Sequence, residues 1–303
     1  MADATTQDKT QVLPALRRNA IALGRALPKA ARGNEGAVHR ARVATRRLRE
    51  ALPVTGDDES LARDLRRLTR ALGPVREMDV CRVLIRDLAA ESAWPSRLVN
   101  RLDSACAEQR ARALHRLESA VRRVDSERLM RAIVERAAEQ DRPALARAIS
   151  GALRSRVVKR ADELSGAISD AGTVYAPEKL HVVRKAAKKL RYAVEMSPPS
   201  VRRTAAGLRR VQEELGTLHD LQMVQRRLQE LATDGHDAWM LRVATALERQ
   251  MEARCRELHG AIVQRVPALV RLLDRLRDAP ARVRPRAARA RSGGRILRFQ
   301  RTA

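Results

Sequence analysis

Apolar side chains return every three to four residues along almost the whole chain, as in Leu61, Leu65, Leu68 and Leu72 and again in Leu241, Ala244, Leu247 and Met251. That spacing collects them on one face of an α-helix, and no alternating strand pattern competes with it. Proline and glycine fall between the periodic runs, at Pro53 to Asp58, Gly73-Pro74, Trp94-Pro95, Arg142-Pro143, Gly172 to Pro177, Pro198-Pro199 and Gly216. Read as helix boundaries, they predict about ten helices joined by short connections, which favour antiparallel neighbours. The expected fold class is all-α.

The polar positions carry an internal repeat. The run from Val38 to Leu52 (VHRARVATRRLREAL) lies over Leu180 to Val194 (LHVVRKAAKKLRYAV), 142 positions later, with six of fifteen residues identical. Leu65 to Gly73 lies over Leu208 to Gly216 at a displacement of 143. Two related helical halves follow, expected at residues 13–145 and 146–278, between disordered ends at 1–12 and 279–303.

On a helix advancing about 100° per residue, His39, Arg42, Arg46 and Arg49 share an arc of roughly 80°, and Ala41, Thr45, Leu48 and Leu52 lie nearly opposite. The second copy repeats this with His181, Arg184, Lys188 and Arg191, backed by Val183, Ala187, Leu190 and Val194. Arg47, Lys185 and Lys189 flank the stripes. Like charges at this spacing repel by a few tenths of a kcal/mol per pair, so most surface helices alternate sign. A solvated basic face would drift, whereas here two copies keep the histidine in place.

Charge sharpens the picture. Of 303 residues, 62 are Lys or Arg and 36 are Asp or Glu, a formal net charge of +26. An excess this large repels itself in a compact state, so the expected partner is a large anion: nucleic acid, inorganic polyphosphate or an anionic membrane surface. Aromatics are only 2% of the chain, too few to build a stacking platform for single-stranded bases. Every stretch of ten residues carries a charge, which argues against a membrane span. The N-terminus, with Asp3 and Asp8, lacks the apolar run of a secretory signal. Cys81, Cys106 and Cys255 are odd in number and widely spaced, so a reducing cytosol without disulfides or a zinc site is expected. Eight arginines and no acid fall between Ala279 and Ala303, a basic tail able to touch nucleic acid nonspecifically. Only seven cations are lysine, yet Lys179, Lys185, Lys188 and Lys189 fall within eleven residues.

The pattern His-x-x-Arg-x-x-x-(Arg/Lys)-(Arg/Lys)-Leu-Arg occurs twice. Each copy is followed by Leu-Gly and a short basic-acidic segment, Leu72 to Asp79 and Leu215 to Gln222. In this doubled form the sequence resembles the CHAD domain, the conserved histidine α-helical domain, over about residues 13 to 275. The resemblance implies two pseudo-symmetric four-helix-bundle-like halves whose motif helices line a central basic channel for inorganic polyphosphate. Carried over by position, the ligand-facing residues would be His39, Arg42, Arg46, Arg47 and Arg49 with His181, Arg184, Lys188, Lys189 and Arg191, joined by the flanking Lys185. Arg66, Arg76, Arg209 and His219 would support them, as would Tyr192 at the stripe margin. The two copies differ at Glu77 against Asp220 and at Asp79 against Gln222.

Polyphosphate is a dense polyanion without bases, and binding it calls for many cations and no base-edge contacts. Arginine offers bidentate contacts to phosphate oxygens and lysine a compact charge. His39 and His181 have no second ligand nearby for a metal and are expected to donate hydrogen bonds to phosphate, gaining charge as the anion arrives. His115, His236 and His259 sit in ordinary helical contexts. No Gly-rich phosphate loop, Gly-x-Ser-x-Gly, His-Glu-x-x-His or magnesium-binding acid cluster is present. The Glu-x-Glu-x-Lys signature of the CYTH-type triphosphatases that sometimes accompany CHAD domains is also missing. The expectation is therefore a binding module without cofactor, cytoplasmic and associated with polyphosphate granules. The alternative is a basic helical protein that associates with nucleic acid.

Overall fold

The computed structural model describes residues 11–138, 143–233 and 238–278. The expected disordered tail, 279–303, lies outside them, as do residues 1–10 of the expected disordered N-terminus. The described residues form ten α-helices and no strand, as the periodicity predicts. They are α1 (Val12–Ala31), α2 (Glu35–Ala51), α3 (Glu59–Ser92), α4 (Ser96–Arg122), α5 (Ser126–Ala138), α6 (Pro143–Ala171), α7 (Pro177–Glu195), α8 (Pro199–Thr204), α9 (Leu208–Thr233) and α10 (Ala238–Asp278). The first begins one residue earlier than expected because Val12 is fully buried.

Local chemistry places most of the ends. The Asn34 side chain accepts the Ala37 N–H at 2.9 Å to start α2, and Asp58 accepts the Leu61 N–H at 3.0 Å to start α3. Gly172, at φ +62°, follows α6 in the left-handed conformation that favours glycine, and Pro177 opens α7. Two expected boundaries are not boundaries. Gly73-Pro74 lies inside α3 and Gly216 inside α9. A proline inside a helix forfeits one hydrogen bond, but Leu72 and Val75 beside it are fully buried, and packing carries the helix through.

The order of neighbours is the same in both halves. α1 packs on α2, α2 on α3 and α3 on α4; α6 packs on α7, α7 on α9 and α9 on α10. Across the halves, α2 meets α7 and α3 meets α9. The apolar interior forms two cores that do not divide at 145/146. Met78 to Leu88 of α3 and Leu98 to Cys106 of α4 belong with the second half, while Ile149 and Leu153 of α6 belong with the first. Along α3 the change of core falls between Val75 and Met78. Arg76 and Glu77, the two residues between, face the cleft at the seam.

Candidate functional site

On α2, Val38, Ala41, Thr45 and Leu48 are buried, which turns His39, Arg42, Arg46 and Arg49 the other way. On α7, Val183, Ala187, Leu190 and Val194 are buried, which turns out His181, Arg184, Lys188 and Arg191. Because α2 meets α7 at the seam, the two stripes line one cleft with a lobe of about 770 Å³ and an adjoining lobe of about 230 Å³. Arg42, Arg46, Arg184, Lys188, Tyr192 and His219 line both lobes. The larger lobe adds Arg49, His181, Lys185 and Lys189; the smaller adds His39, Arg76, Arg191 and Asp220.

The central cations sit together, with the Glu77 and Asp220 carboxylates in the same cleft but outside ion-pair distance. Among the described residues, Arg42, Arg46, Arg184 and Lys188 have no carboxylate within ion-pair distance, and the buried Nε atoms of Arg42 and Arg184 have no protein hydrogen-bond acceptor. Burial, reinforced by Arg46, pushes Arg42 down to about 10, so it stays cationic at neutral pH. Burial and the guanidiniums of Arg184, Arg46 and Arg42 push the Lys188 amine down to about 7. Burial, with Arg184, His181 and Lys188, takes His219 to about 3. His219 stacks on His181 at 5.0 Å between ring centroids. Burial lowers both motif histidines, helped by Arg76 at His39 and by Lys185 at His181. With only protein groups around them, these imidazoles are neutral at pH 7 and donate one N–H each. Burial raises Asp220, while Arg184 and Lys188 pull it back.

Several expected site residues make contacts with other protein groups, and Arg47, Arg66 and Arg209 do not line the cleft. Arg47 donates to Glu195 at 3.0 Å and does not line the cleft; Arg191 shares that carboxylate at 3.5 Å. Lys189 donates to Glu163 at 3.4 Å. Arg66 pairs with Glu59, and Arg209, 83% exposed, pairs with Glu213; neither reaches the cleft. Tyr192 is buried beneath the Arg191 guanidinium at 5.1 Å.

The cleft also includes residues that the repeat alone does not reveal. Gln222, Arg226 and Gln229 continue from His219 along α9, and Gln225 stands beside them. Their spacing of 219, 222, 226 and 229 is that of the motif stripe itself, a signal present in the sequence but muted because glutamine carries no charge.

A family model for the CHAD domain matches residues 15–229. The chain belongs to the CHAD domain family. This CHAD domain is similar in fold to the crystal structure of the CHAD domain from the plant Ricinus communis: 22% identity over 94% of this chain and 96% of that one, TM-score 0.54. It is also similar to PptA from Streptomyces chartreusis: 19% identity over 84% of this chain and 99% of that one, TM-score 0.55. None of the curated proteins matches it. No described helix of this CHAD domain is long and apolar enough to cross a membrane.

Proposed function

We propose that the cleft binds inorganic polyphosphate without turning it over, and that this binding carries the protein to cytoplasmic polyphosphate granules. The observation that carries the reading is the group of four cations, Arg42, Arg46, Arg184 and Lys188, brought from two helices to one cleft without ion-pair partners among the described residues. Guanidinium Nε atoms buried without an acceptor are costly unless an anion supplies one. The association of the CHAD family with polyphosphate points the same way. Tyr192, the tyrosine of the lining, lies buried under Arg191 and is not free for a base to stack on. Among the described residues no group of three or more His, Cys, Asp or Glu is placed to hold a metal ion. The repeated motif and the repeated neighbour order support two pseudo-symmetric halves that form one channel.

The test is competition and charge reversal. Long-chain polyphosphate displaces labelled duplex DNA at equal phosphate concentration near physiological salt. The double variant Arg46→Glu/Lys188→Glu loses two charge-assisted contacts of about 1.5–3 kcal/mol each, so affinity falls by about two to four orders of magnitude. Circular dichroism shows its helicity intact. Retained affinity would place binding on the scattered surface arginines, and failure to displace DNA would favour a nucleic-acid partner.

A further inference from the structure

Lys188 occupies the position that Arg46 holds in the first copy of the repeat. The exchange matters because guanidiniums do not release protons in proteins, whereas a crowded amine can. Arg184 presses on Lys188 from its own helix and Arg42 and Arg46 from α2. From α9, His219 and Asp220 lie against it, and α3 contributes Arg76 and Glu77 to the same lobe. On α6, Glu163 is committed to Arg160 and Lys189. Repulsion from the neighbouring guanidiniums is relieved when Lys188 gives up its proton.

We infer that the cleft takes up a proton as it takes up a polyanion, with Lys188 Nζ as the acceptor, so that binding tightens as pH falls. The inference rests on the polyphosphate reading and adds its regulation. A phosphate oxygen beside Lys188 supplies the counter-charge that the protein withholds and restores the ammonium form. His219 is not the acceptor: its burial among Arg184, His181 and Lys188 keeps the ring neutral, an N–H donor to the anion. The sign follows from linkage. Below about pH 7 the amine is already charged and binding takes up little; above it each binding event must supply the proton, and affinity falls.

Titration calorimetry with long-chain polyphosphate, whose internal phosphates stay ionised throughout, tests this in the full chain. At pH 7.5, in buffers of differing ionisation enthalpy, the heat should vary linearly with that enthalpy, with a slope of roughly half a proton or more per chain. Between pH 7.0 and 8.5 affinity should fall by about five- to fifteenfold. Lys188→Arg keeps the charge and cannot release it, so its affinity should fall less steeply than the parent's between pH 6.5 and 8.5, and its slope should drop to the share that His39 and His181 contribute. Buffer-independent heats in the parent would overturn the inference alone, whether or not the variant folds. An unchanged slope in Lys188→Arg would overturn Lys188 as acceptor. Absence of binding even at pH 6.5 would overturn the polyphosphate reading and this inference with it.

Discussion

The two walls of the cleft come from the same repeated motif and have diverged in the kind of charge they carry. The wall of α2 and α3 presents four guanidiniums, Arg42, Arg46, Arg49 and Arg76, with the exposed His39 beside them. The wall of α7 and α9 presents Arg184 with His181, the neutral His219 and Lys188, an amine whose charge the surrounding guanidiniums control. One wall supplies constant attraction and the other an adjustable share. The same geometry serves both because the core-facing positions, Ala41, Thr45 and Leu48 against Val183, Ala187 and Leu190, hold each helix in the same rotation.

The walls differ again one helix further on. Asp79 and Gln222 occupy related positions, yet Asp79 is buried in an ion pair with Arg110 at 2.6 Å, while Gln222 lines the cleft and donates to the Tyr175 hydroxyl. The first wall therefore stops at α3, whereas the second continues along α9. Substituting the partner of Asp79 and Gln222 itself separates structure from binding, and here the largest effect is expected. Arg110→Met leaves the fully buried Asp79 carboxylate without its partner and should lower unfolding free energy by about 3–5 kcal/mol in urea denaturation. Gln222→Ala should change stability by less than about 1 kcal/mol and weaken polyphosphate binding instead. Comparable losses of stability in the two variants would mean that α9 is as closed as α3.

The next largest effect compares fixed with adjustable charge. Arg42→Met removes a desolvated guanidinium worth about 1.5–3 kcal/mol, roughly a 10- to 150-fold loss of affinity at pH 6.5, and the loss should shrink only slightly at pH 8.5, because Arg42 contributes less than burial, Arg184 and Arg46 to lowering Lys188. Lys188→Met should cost a similar amount at pH 6.5. At pH 8.5 its penalty should shrink by about tenfold, because the parent must then recharge its amine to bind. Fluorescence anisotropy with labelled polyphosphate at both pH values makes the comparison. Parallel penalties across pH would show that both walls carry constant charge.

Much of this site was legible in sequence because helical periodicity fixes which residues share a face. His39, Arg42, Arg46 and Arg49 could be assigned to one stripe before any coordinates. Periodicity says nothing about which stripes meet, and the meeting of α2 with α7 depends on long-range packing that exchanges pieces of α3, α4 and α6 between two cores. Arg47 and Lys189 read as ligands because their motif positions are basic, and only the fold brings Glu195 and Glu163 to them. The helix breaks expected at Gly73-Pro74 and Gly216 failed because local propensity yields to buried neighbours such as Leu72 and Val75. The extension of the stripe along α9 is silent as a charge pattern because Gln222 and Gln229 share the motif's spacing but carry no charge.

The smallest expected effect tests how far the two stripes have diverged at their ends. Arg49 has no carboxylate partner among the described residues, whereas Arg191, its counterpart, is shared by Glu195 with Arg47. The position matching Glu195 in the first copy is Pro53, which cannot pair with anything. A carboxylate here competes with phosphate for Arg191, but the pair is 41% and 35% exposed, and such pairs are worth about 0–1 kcal/mol. Glu195→Gln should therefore free both guanidiniums and tighten polyphosphate binding by up to about fivefold, with little change in melting temperature. The gain should vanish in an Arg191→Met background, because without Arg191 the released Arg47 lies outside the cleft and has no phosphate to reach. A gain that survived there would extend the binding track to Arg47, beyond the edge of the cleft, and make the two walls less different than their carboxylates suggest.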